Sequence, residues 1–517
     1  MTAALTVAEV TRRHAADRGG QTALVFGDRA TDFATLDRLA SQIANGLIAA
    51  RLQAQARVAV LARNSDSYLE IMFGCAKANC VLVPVNWRLA PPEIAFIIQD
   101  ADTEFLFVGP EFESILAVLE EAGRLPAHVV RLAESGESRY RPWRDRQSPA
   151  DPGLVPAADD VVMQLYTSGT TGHPKGAQLT NGNVLGDLDV CIRNWDTRPG
   201  EDVTVVVMPL FHIAGIGWAL HLLAIGGTCV VLPDVEPKAI LDAIARHRVT
   251  TTILVPAVIL MVLQDPESRR TDFSSLRSLF YGASPIPLDL LRRAMQVIGC
   301  QFIQLYGLTE TTGAITYLAP GDHDPEGTAR MRSCGREMEP GTVRVVDAEG
   351  NDVAPGEVGE VIYRGTRLMK GYWNLPQADA AAIRDGWFHS GDAGYVDPDG
   401  YVYIHDRVKD MIVSGGENVY PAEVESALFG HPDIADVAVI GVPDERWGET
   451  VKAIVVPAPG TSPSEADIID FARGRIAGFK LPKSVDFVDA LPRNPSGKIL
   501  KRELRRPYWE NRERQVN

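Results

Sequence analysis

Short runs of β-branched residues alternate with helix-length amphipathic segments from about residue 20 onward, and this rhythm most constrains the fold. Runs such as Val203–Met208 and Thr251–Val255 are almost entirely apolar, which is typical of strands buried on both faces. Segments such as Asp66–Ala78 and Pro237–His247 have the length and spacing of helices. The pattern predicts a layered α/β architecture with largely buried strands.

The pattern changes twice further along the chain. Past Val343, short alternating strands with glycine turns predict a small β-rich subdomain. The final segment holds a complete α+β set: a helix over Val419–Phe429, strands over Ile434–Val442 and Thr450–Val456, and a helix over Ser464–Ile476. We therefore predict a large N-terminal domain over residues 1–407 and a small, mobile C-terminal domain over residues 408–517.

The charge balance excludes one class of partner. The 517 residues include 51 Lys and Arg against 67 Asp and Glu, a net charge of −16. Proteins that follow a nucleic-acid backbone show a basic footprint instead, so we expect no nucleic-acid partner. The balance is uneven, since residues 471–517 hold 12 basic and 5 acidic side chains. This positive end is suited to small polyanions, with at most weak peripheral contact to an anionic membrane.

Other compositional features concern location. Residues 203–233 carry no Asp, Glu, Lys or Arg, but glycine, proline and two histidines interrupt them. We predict strand, turn, helix and strand there, and not a membrane span. The six cysteines lack metal-ligand spacing, and the N-terminus lacks the basic residues of a secretory signal. These features predict free thiols in a cytoplasmic monomer or homodimer.

The most informative segment is Tyr166–Gly176, which reads YTSGTTGHPKG and follows the apolar run Val161–Leu165. Its hydroxyls, glycine N–H groups and Lys175 can surround a polyphosphate. A Walker A loop would place GK[ST] after four spacer residues, whereas Lys175 lies between Pro174 and Gly176. The segment therefore predicts an anion-binding loop of another kind.

Further motifs follow in order, and with this loop they resemble the adenylate-forming enzymes: acyl-CoA synthetases, luciferases and the adenylation domains of peptide synthetases. The resemblance covers nearly the whole chain and is closest to bacterial fatty-acyl-CoA ligases. The motifs are Met208–Gly215, Tyr281–Pro285, Gln304–Thr311, Gly386–Asp392, Asp406–Asn418 and Pro492–Lys498. The resemblance implies that a carboxylate attacks the α-phosphate of ATP to give acyl-adenylate and diphosphate, after which a thiol displaces AMP.

The same resemblance implies residue roles at the nucleotide. Glu310 would hold Mg²⁺, Thr309 would bond the α-phosphate, and Tyr306 would offer its ring to adenine. Asp392 would accept hydrogen bonds from both ribose hydroxyls, assisted by Arg407. The implied ATP site comprises Thr167, Ser168, Gly169, Thr170, Thr171, Gly172, Lys175, Gly282, Ala283, Ser284, Gln304, Tyr306, Gly307, Thr309, Asp392, Arg407 and Lys498.

The C-terminal domain would supply the moving parts. By resemblance, Lys498 bridges the attacking carboxylate and the α-phosphate, and completes a catalytic set with Thr309, Glu310 and His212. Lys409 would be the hinge about which the domain swings between the two half-reactions. The CoA-facing residues would then be Ser414, Gly415 and Gly416, and the positive charge of residues 471–517 would attract the CoA phosphates.

The acid would lie against a wall that is almost uncharged in sequence. His212 would be a gate or a neighbour of the carboxylate, and the wall would comprise Ile213, Ile216, Gly217, Trp218, Gly313 and Ala314. These stretches contain neither an Arg for a second carboxylate nor an acidic partner for an α-amine. We therefore predict an ATP-dependent acyl-CoA synthetase for an apolar monocarboxylic acid, a medium- or long-chain fatty acid.

Other functions share these motifs. An aryl- or cinnamate-type CoA ligase would differ only in pocket shape, and an acyl-AMP ligase would pass the acyl group to a carrier protein. A luciferase-like oxidation would use the same adenylate. A non-catalytic nucleotide- or acyl-binding protein on this scaffold is the alternative from another class, but it would not need Lys498, Glu310 and Asp392 together.

Overall fold

The computed structural model describes residues 6–132, 140–167, 174–324, 326, 329–407, 410–414, 417–444, 447–473, 475–493 and 499–510. Within these ranges, strands and helices alternate up to about residue 310, and strands dominate from there to about residue 420. No described helix is long and apolar enough to cross a bilayer.

The strands are, in chain order, β1 Thr22–Phe26, β2 Arg29–Asp32, β3 Arg57–Leu61, β4 Val81–Pro84, β5 Thr103–Val108, β6 His128–Arg131, β7 Val161–Thr167, β8 Lys175–Thr180, β9 Val203–Val206, β10 Thr228–Val231, β11 Thr251–Leu254, β12 Ser278–Gly282, β13 Gln301–Leu308, β14 Gly313–Leu318, β15 Arg336–Glu337, β16 Thr342–Val346, β17 Gly359–Arg364, β18 Gly371–Tyr372, β19 Ile383–Arg384, β20 Trp387–Val396, β21 Val402–Arg407, β22 Ile412–Ser414, β23 Glu417–Val419, β24 Ile434–Asp444, β25 Gly448–Pro457 and β26 Ser484–Phe487.

The helices are α1 Val7–Arg18, α2 Phe33–Ala49, α3 Asp66–Lys77, α4 Pro91–Asp100, α5 Ser114–Glu121, α6 Tyr140–Asp145, α7 Asn181–Asn194, α8 Ile213–Ala224, α9 Pro237–Arg246, α10 Pro256–Gln264, α11 Leu288–Ile298, α12 Pro376–Ala382, α13 Pro421–Phe429, α14 Glu465–Ala472 and α15 Lys501–Trp509. The uncharged stretch therefore folds as β9, α8 and β10, which confirms the predicted strand, helix and strand.

Two large sheets carry the first half of the chain. One has seven strands in the order β18-β8-β7-β4-β3-β5-β6, and the other has nine in the order β15-β14-β13-β12-β11-β9-β10-β1-β2. Their central strands pair in parallel, whereas β8 and β14 run antiparallel to their neighbours. The parallel strands are apolar because helices cover both faces.

One hydrophobic core connects these two sheets. It includes side chains from β3, β9, α3 and α8, so the sheets and the helices between them bury a common interior. Helix α3 is buried almost all round, from Tyr68 to Lys77. Its Lys77 ammonium is enclosed but lies 2.6 Å from carboxylate oxygens of Asp37 and Asp151, which offset the cost of burying the charge.

Two five-stranded sheets follow. The third sheet runs β16-β17-β20-β19, with β21 on β20, and the fourth runs β23-β22-β25-β24, with β26 parallel to β25. The fourth sheet has its own core with α13 and α14. Helix α14 ends at Ala472, earlier than predicted, because Arg473 adopts an extended conformation and precedes a glycine in sequence. The predicted α/β class, with a large N-terminal and a smaller C-terminal part, is confirmed.

Candidate active site

The two ends of the glycine- and threonine-rich loop are held by a strand pair. Thr167 ends β7, Lys175 begins β8, and these residues are direct cross-strand partners. The loop residues between them that were predicted to bind phosphate, Ser168, Gly169, Thr170, Thr171 and Gly172, lie outside the described residues. The half-buried Lys175 ammonium lies 5.0 Å from the ring centroid of Tyr372, on β18 next to β8.

Glu310 meets the same tyrosine from the other sheet. It lies in a 3₁₀ turn over Thr309–Thr311, between β13 and β14. The Tyr372 hydroxyl donates a hydrogen bond of 2.8 Å to Glu310 Oε1, and the backbone N–H of Met369 donates to the Glu310 carbonyl at 2.8 Å. Tyr372 therefore links the cation of the phosphate loop to the carboxylate predicted to hold the metal.

The donor set around Glu310 is suited to Mg²⁺ bound together with a nucleotide. The described residues contain no cluster of three or more His, Cys, Asp or Glu side chains that could enclose a metal. Mg²⁺ is commonly bound by one or two carboxylates, with substrate phosphates and water completing its octahedron. The buried, oriented Glu310 fits that role, in which the ion would neutralise phosphate charge.

Glycine is required where the adenine-side segments approach each other. A Cβ atom on Gly282 would lie 2.1 Å from the Leu305 carbonyl oxygen, and one on Gly307 would lie 1.9 Å from that of Gly313. Ala283, next to Gly282, has a positive φ of 63°. Only glycine allows β12, β13 and β14 to approach so closely at their ends. The predicted Gly282–Ser284 and Gln304–Thr309 segments are thus neighbours in space.

Asp392 lies across from these segments and bonds one of them. Asp392 as a whole residue is 5% exposed, and its Oδ2 accepts a hydrogen bond of 2.7 Å from the hydroxyl of Tyr306. Its backbone N–H donates to Ser390 Oγ at 3.0 Å, which fixes the turn before it. Arg407, on β21, is its direct cross-strand partner. The predicted ribose and adenine residues are therefore brought together, with Tyr306 oriented through its hydroxyl.

His212 stands at the N-terminus of α8. It is half-buried, and its ring lies 4.6 Å from that of Phe211. The preceding segment is held by Asn64, which accepts from the Leu210 N–H at 2.9 Å and donates to the Met208 carbonyl at 3.0 Å. The position of His212 is thus set by the core and not by a flexible loop.

The part of the predicted acyl wall that lies on α8 is divided between two faces of that helix. Ile216 and Trp218 are buried, and the Trp218 indole donates to Thr204 Oγ1 at 2.8 Å within a cluster of aromatic rings. Ile213 and Gly217 are only half-buried and adjacent, because a Cβ atom on Gly217 would lie 3.4 Å from Ile213 Cδ1. The face with Ile213 and Gly217 is therefore the more exposed of the two.

Two charged residues that belong to no motif lie beside Gly313 and Ala314, the part of the predicted wall on β14. A Cβ atom on Gly313 would lie 3.3 Å from both carboxylate oxygens of Asp187, on α7. The fully buried Arg367 donates to the carbonyls of Ala314 and Met338. The wall is uncharged in its own sequence, as predicted, whereas its surroundings include the Asp187 carboxylate and the Arg367 guanidinium. No motif contains Asp187 or Arg367, and only a helical register for α7 could have suggested the former.

Several predicted residues in the C-terminal part lie outside the described residues, namely Lys409, Gly415, Gly416 and Lys498, the last of which was predicted to be catalytic. Ser414 is described at the end of β22, where it pairs with Glu417 and Gly448. For Arg407, the backbone position on β21 is described.

Comparisons with known proteins agree with this arrangement. The AMP-binding enzyme family matches residues 11–373, and the AMP-binding enzyme C-terminal domain matches residues 423–498. The fatty acid–[acyl-carrier-protein] ligase ScoC of Streptomyces coeruleorubidus is 42% identical over 517 residues, covering 99% of this chain and 98% of that protein. A feruloyl-CoA synthase of Amycolatopsis sp is 42% identical over 488 residues, covering 94% and 96%.

A solved structure extends the similarity to three dimensions. The anthranilate CoA ligase AuaEII, in complex with anthranoyl-AMP, superposes with a TM-score of 0.91 at 27% identity, covering 98% of each chain. The matched family spans more than half of the chain, and the relatives align over nearly its full length. The chain therefore belongs to the AMP-binding enzyme family, which confirms the predicted adenylate-forming superfamily and the reaction class of an AMP-forming acid–CoA ligase.

Proposed function

We propose that this enzyme adenylates a monocarboxylic acid with an apolar body and transfers the acyl group to CoA. The observation that carries the adenylation step is the convergence of Lys175 and Glu310 on Tyr372. An anionic carboxylate must attack an anionic phosphate, so charge neutralisation and alignment contribute most of the rate. Lys175 would neutralise charge on the departing phosphates, and Glu310 would hold the magnesium ion that accompanies them.

In the first step, a carboxylate oxygen forms a bond to the α-phosphorus, and the bond from that phosphorus to the bridging oxygen of diphosphate breaks. Asp392 and Tyr306 would hold the ribose and base while this occurs. In the second step, the thiolate of CoA attacks the acyl carbon and AMP leaves with the electron pair. Lys498 is assigned to the first step and the Ser414–Gly416 segment to the second, as the motifs predict.

A medium- or long-chain fatty acid is the first candidate for the acid. The more exposed face of α8 offers Ile213 and Gly217, in a stretch over residues 213–218 that contains no charged residue to balance a second carboxylate. Burying an alkyl chain there would contribute about 0.8 kcal/mol per methylene group. ScoC, a relative of similar length, carries the name of a fatty-acid ligase.

An aromatic acid is the second candidate, favoured by the Asp187 carboxylate beside Gly313. A saturated tail offers such a group no hydrogen bond, whereas a substituted aromatic ring can. The feruloyl-CoA synthase and the anthranilate CoA ligase carry names of this substrate class.

We favour CoA over a carrier protein as the acceptor of the acyl group. The excess of 12 basic over 5 acidic side chains in residues 471–517 suits the phosphates of CoA. The same positive charge would also attract a carrier protein with an acidic surface, and ScoC is named for a carrier-protein partner. The two acceptors are therefore separated by experiment.

A panel of acids tests the proposal, from C6 to C24 fatty acids through benzoate and cinnamates, scored separately for diphosphate, AMP and acyl-CoA. We expect diphosphate release with at least one acid and acyl-CoA when CoA is added. Glu310→Gln should lose most of this activity, whereas the exposed Glu349→Gln serves as the matched control. Absence of diphosphate with every acid contradicts the proposal, and transfer only to phosphopantetheinylated carrier protein contradicts the acceptor.

A further inference from the structure

Asp187, on α7, belongs to none of the motifs, yet it lies beside Gly313 of the predicted acyl wall. Gly313 begins β14 with a φ of 146°, directly after the turn that carries Glu310. A side chain at position 313 would cover both carboxylate oxygens of Asp187, since its Cβ would lie 3.3 Å from each. Glycine at 313 therefore leaves no side chain between the wall and Asp187, and the Asp187 side chain as a whole keeps 16% of its surface exposed.

The hydrogen bonds around this carboxylate are incomplete within the described residues. Oδ1 is buried and accepts none there, although a carboxylate oxygen can accept two. Oδ2 contacts the Cys191 thiol at 3.7 Å, and a thiol is a weak donor. Buried carboxylate oxygens are normally hydrogen-bonded, so Oδ1 retains the capacity to accept a hydrogen bond from a ligand or a water at the predicted wall.

Arg367 does not supply the missing hydrogen bond. Its Nη1 atom lies 3.8 Å from Asp187 Oδ1, beyond hydrogen-bond distance. Its guanidinium donates instead to the carbonyls of Ala314 and Met338 and, at 3.2 Å, to the Tyr363 hydroxyl. Arg367 therefore reduces the net charge near Asp187 without occupying its acceptor atom.

We propose that Asp187 determines specificity by accepting a hydrogen bond from a hydroxyl group at the end of the acid remote from its carboxylate. This inference rests on the proposed adenylation of a carboxylic acid. A neutral hydroxyl fits better than an ammonium, because the nearby guanidinium already balances the carboxylate charge. The hydroxyl can belong to a phenol on an aromatic acid or to an ω-hydroxy aliphatic acid, which share this chemistry.

Matched substrate pairs test the proposal. The rate of diphosphate release, as kcat/KM, is compared for 4-hydroxycinnamate against 4-methoxycinnamate, and for 12-hydroxydodecanoate against dodecanoate. We expect the hydroxylated member of at least one pair to be preferred by about tenfold or more, the size of one hydrogen bond to a charged group. The pair that shows the preference identifies the aromatic or the aliphatic source.

Variants connect the preference to Asp187. Asp187→Leu should bring the ratio of kcat/KM between the two acids of the preferred pair close to one. Because both acids are measured with the same preparation, this ratio does not depend on how much of the enzyme is active. Asp187→Asn keeps an amide oxygen as acceptor and should reduce the ratio about threefold or more without abolishing it. Asp189→Leu is the control, because Asp189 is on the same helix but pairs with the exposed Arg193 at 2.7 Å.

The outcomes separate this inference from the proposed function. Reaction of dodecanoate or 4-methoxycinnamate without any preference for the hydroxylated partner overturns the inference alone. A preference that persists unchanged in Asp187→Asn also overturns it, even if Asp187→Leu does not fold. Absence of diphosphate with every acid overturns the proposed function and this inference together.

Discussion

Tyr372 donates its phenolic hydrogen to Glu310 at 2.8 Å while its ring faces the Lys175 ammonium. This hydrogen bond orients the Glu310 carboxylate toward the place where the metal and the phosphates are proposed to bind. The pairing of β18 with β8 places the tyrosine there, so the link depends on β18, the strand at one edge of the seven-stranded sheet.

Tyr372→Phe should therefore impair the use of MgATP without unfolding the protein. The ring beside Lys175 is kept, and the hydrogen bond to Glu310 is lost. We expect kcat/KM for MgATP to fall about tenfold, since hydrogen bonds to charged groups contribute roughly 1.5–3 kcal/mol. Diphosphate release at varied Mg²⁺ measures the effect. Tyr401→Phe is the control, because its hydroxyl donates to Asp322 at 2.8 Å away from the proposed phosphate site; equal losses in both variants would contradict this role.

Asp392→Asn should weaken recognition of the ribose. A carboxylate can accept from both hydroxyls, and an amide can accept from only one of them with similar geometry. We expect the KM for ATP to rise about tenfold and the preference for ATP over 3′-deoxyATP to shrink toward one. Asp399→Asn, exposed in the turn between β20 and β21, should leave both values unchanged. A full preference for ATP in Asp392→Asn would remove the ribose assignment.

Gly307→Ala should lower stability and ATP binding together. Its Cβ would lie 1.9 Å from the Gly313 carbonyl oxygen, so β13 and β14 would have to separate beside Glu310. Overpacking of this kind costs about 1–3 kcal/mol. Thermal unfolding with and without ATP measures both effects. Gly321→Ala meets no atom within 4 Å and should behave as the unaltered protein; a Tm for Gly307→Ala equal to that of this control would contradict the close approach.

Asp187 makes stability depend on pH. Burial raises the pKa of its carboxyl to about 7, and Arg367 lowers it in part. A raised pKa means that the folded state binds the proton more tightly than the unfolded chain. The stabilisation that comes from protonating Asp187 in the folded state is thus fully present below about pH 4 and is lost as pH rises through 7. Asp187→Asn should gain Tm relative to the unaltered protein by about 1–3 °C between pH 5.5 and 8.5. A constant difference across this range would refute the titration.

Lys498→Ala should separate the half-reactions. If this lysine bridges the carboxylate and the α-phosphate, its loss should abolish most acid-dependent diphosphate release while supplied acyl-AMP is still converted to thioester with CoA. Lys483→Ala removes an exposed positive charge from the same part of the chain and controls for net charge. Equal loss of both half-reactions in Lys498→Ala would contradict its assignment to adenylation.

Local pattern was enough to predict much of the fold. The apolar runs at residues 203–208 and 251–255 became β9 and β11, and the helix at residues 66–78 became α3, because strand and helix periodicities are properties of short segments. The glycine- and threonine-rich loop was predicted to bind an anion from its own composition. The other nucleotide motifs were identified by their resemblance to a known family, which was possible because each motif is a short stretch of sequence.

The relations between those stretches were decided only by the tertiary structure. Tyr372 and Glu310 are 62 residues apart, and Tyr306 and Asp392 are 86 apart, so no local pattern pairs them. Asp187 reads in sequence as one more polar residue on a helix, and the Gly313 wall reads as uncharged. Packing α7 against the start of β14 and enclosing Arg367 behind it placed a carboxylate at that wall. The sequence determined which chemical groups are available. Long-range packing determined which of them share one low-dielectric site, because residues far apart in sequence become buried and adjacent only when the sheets and helices pack together.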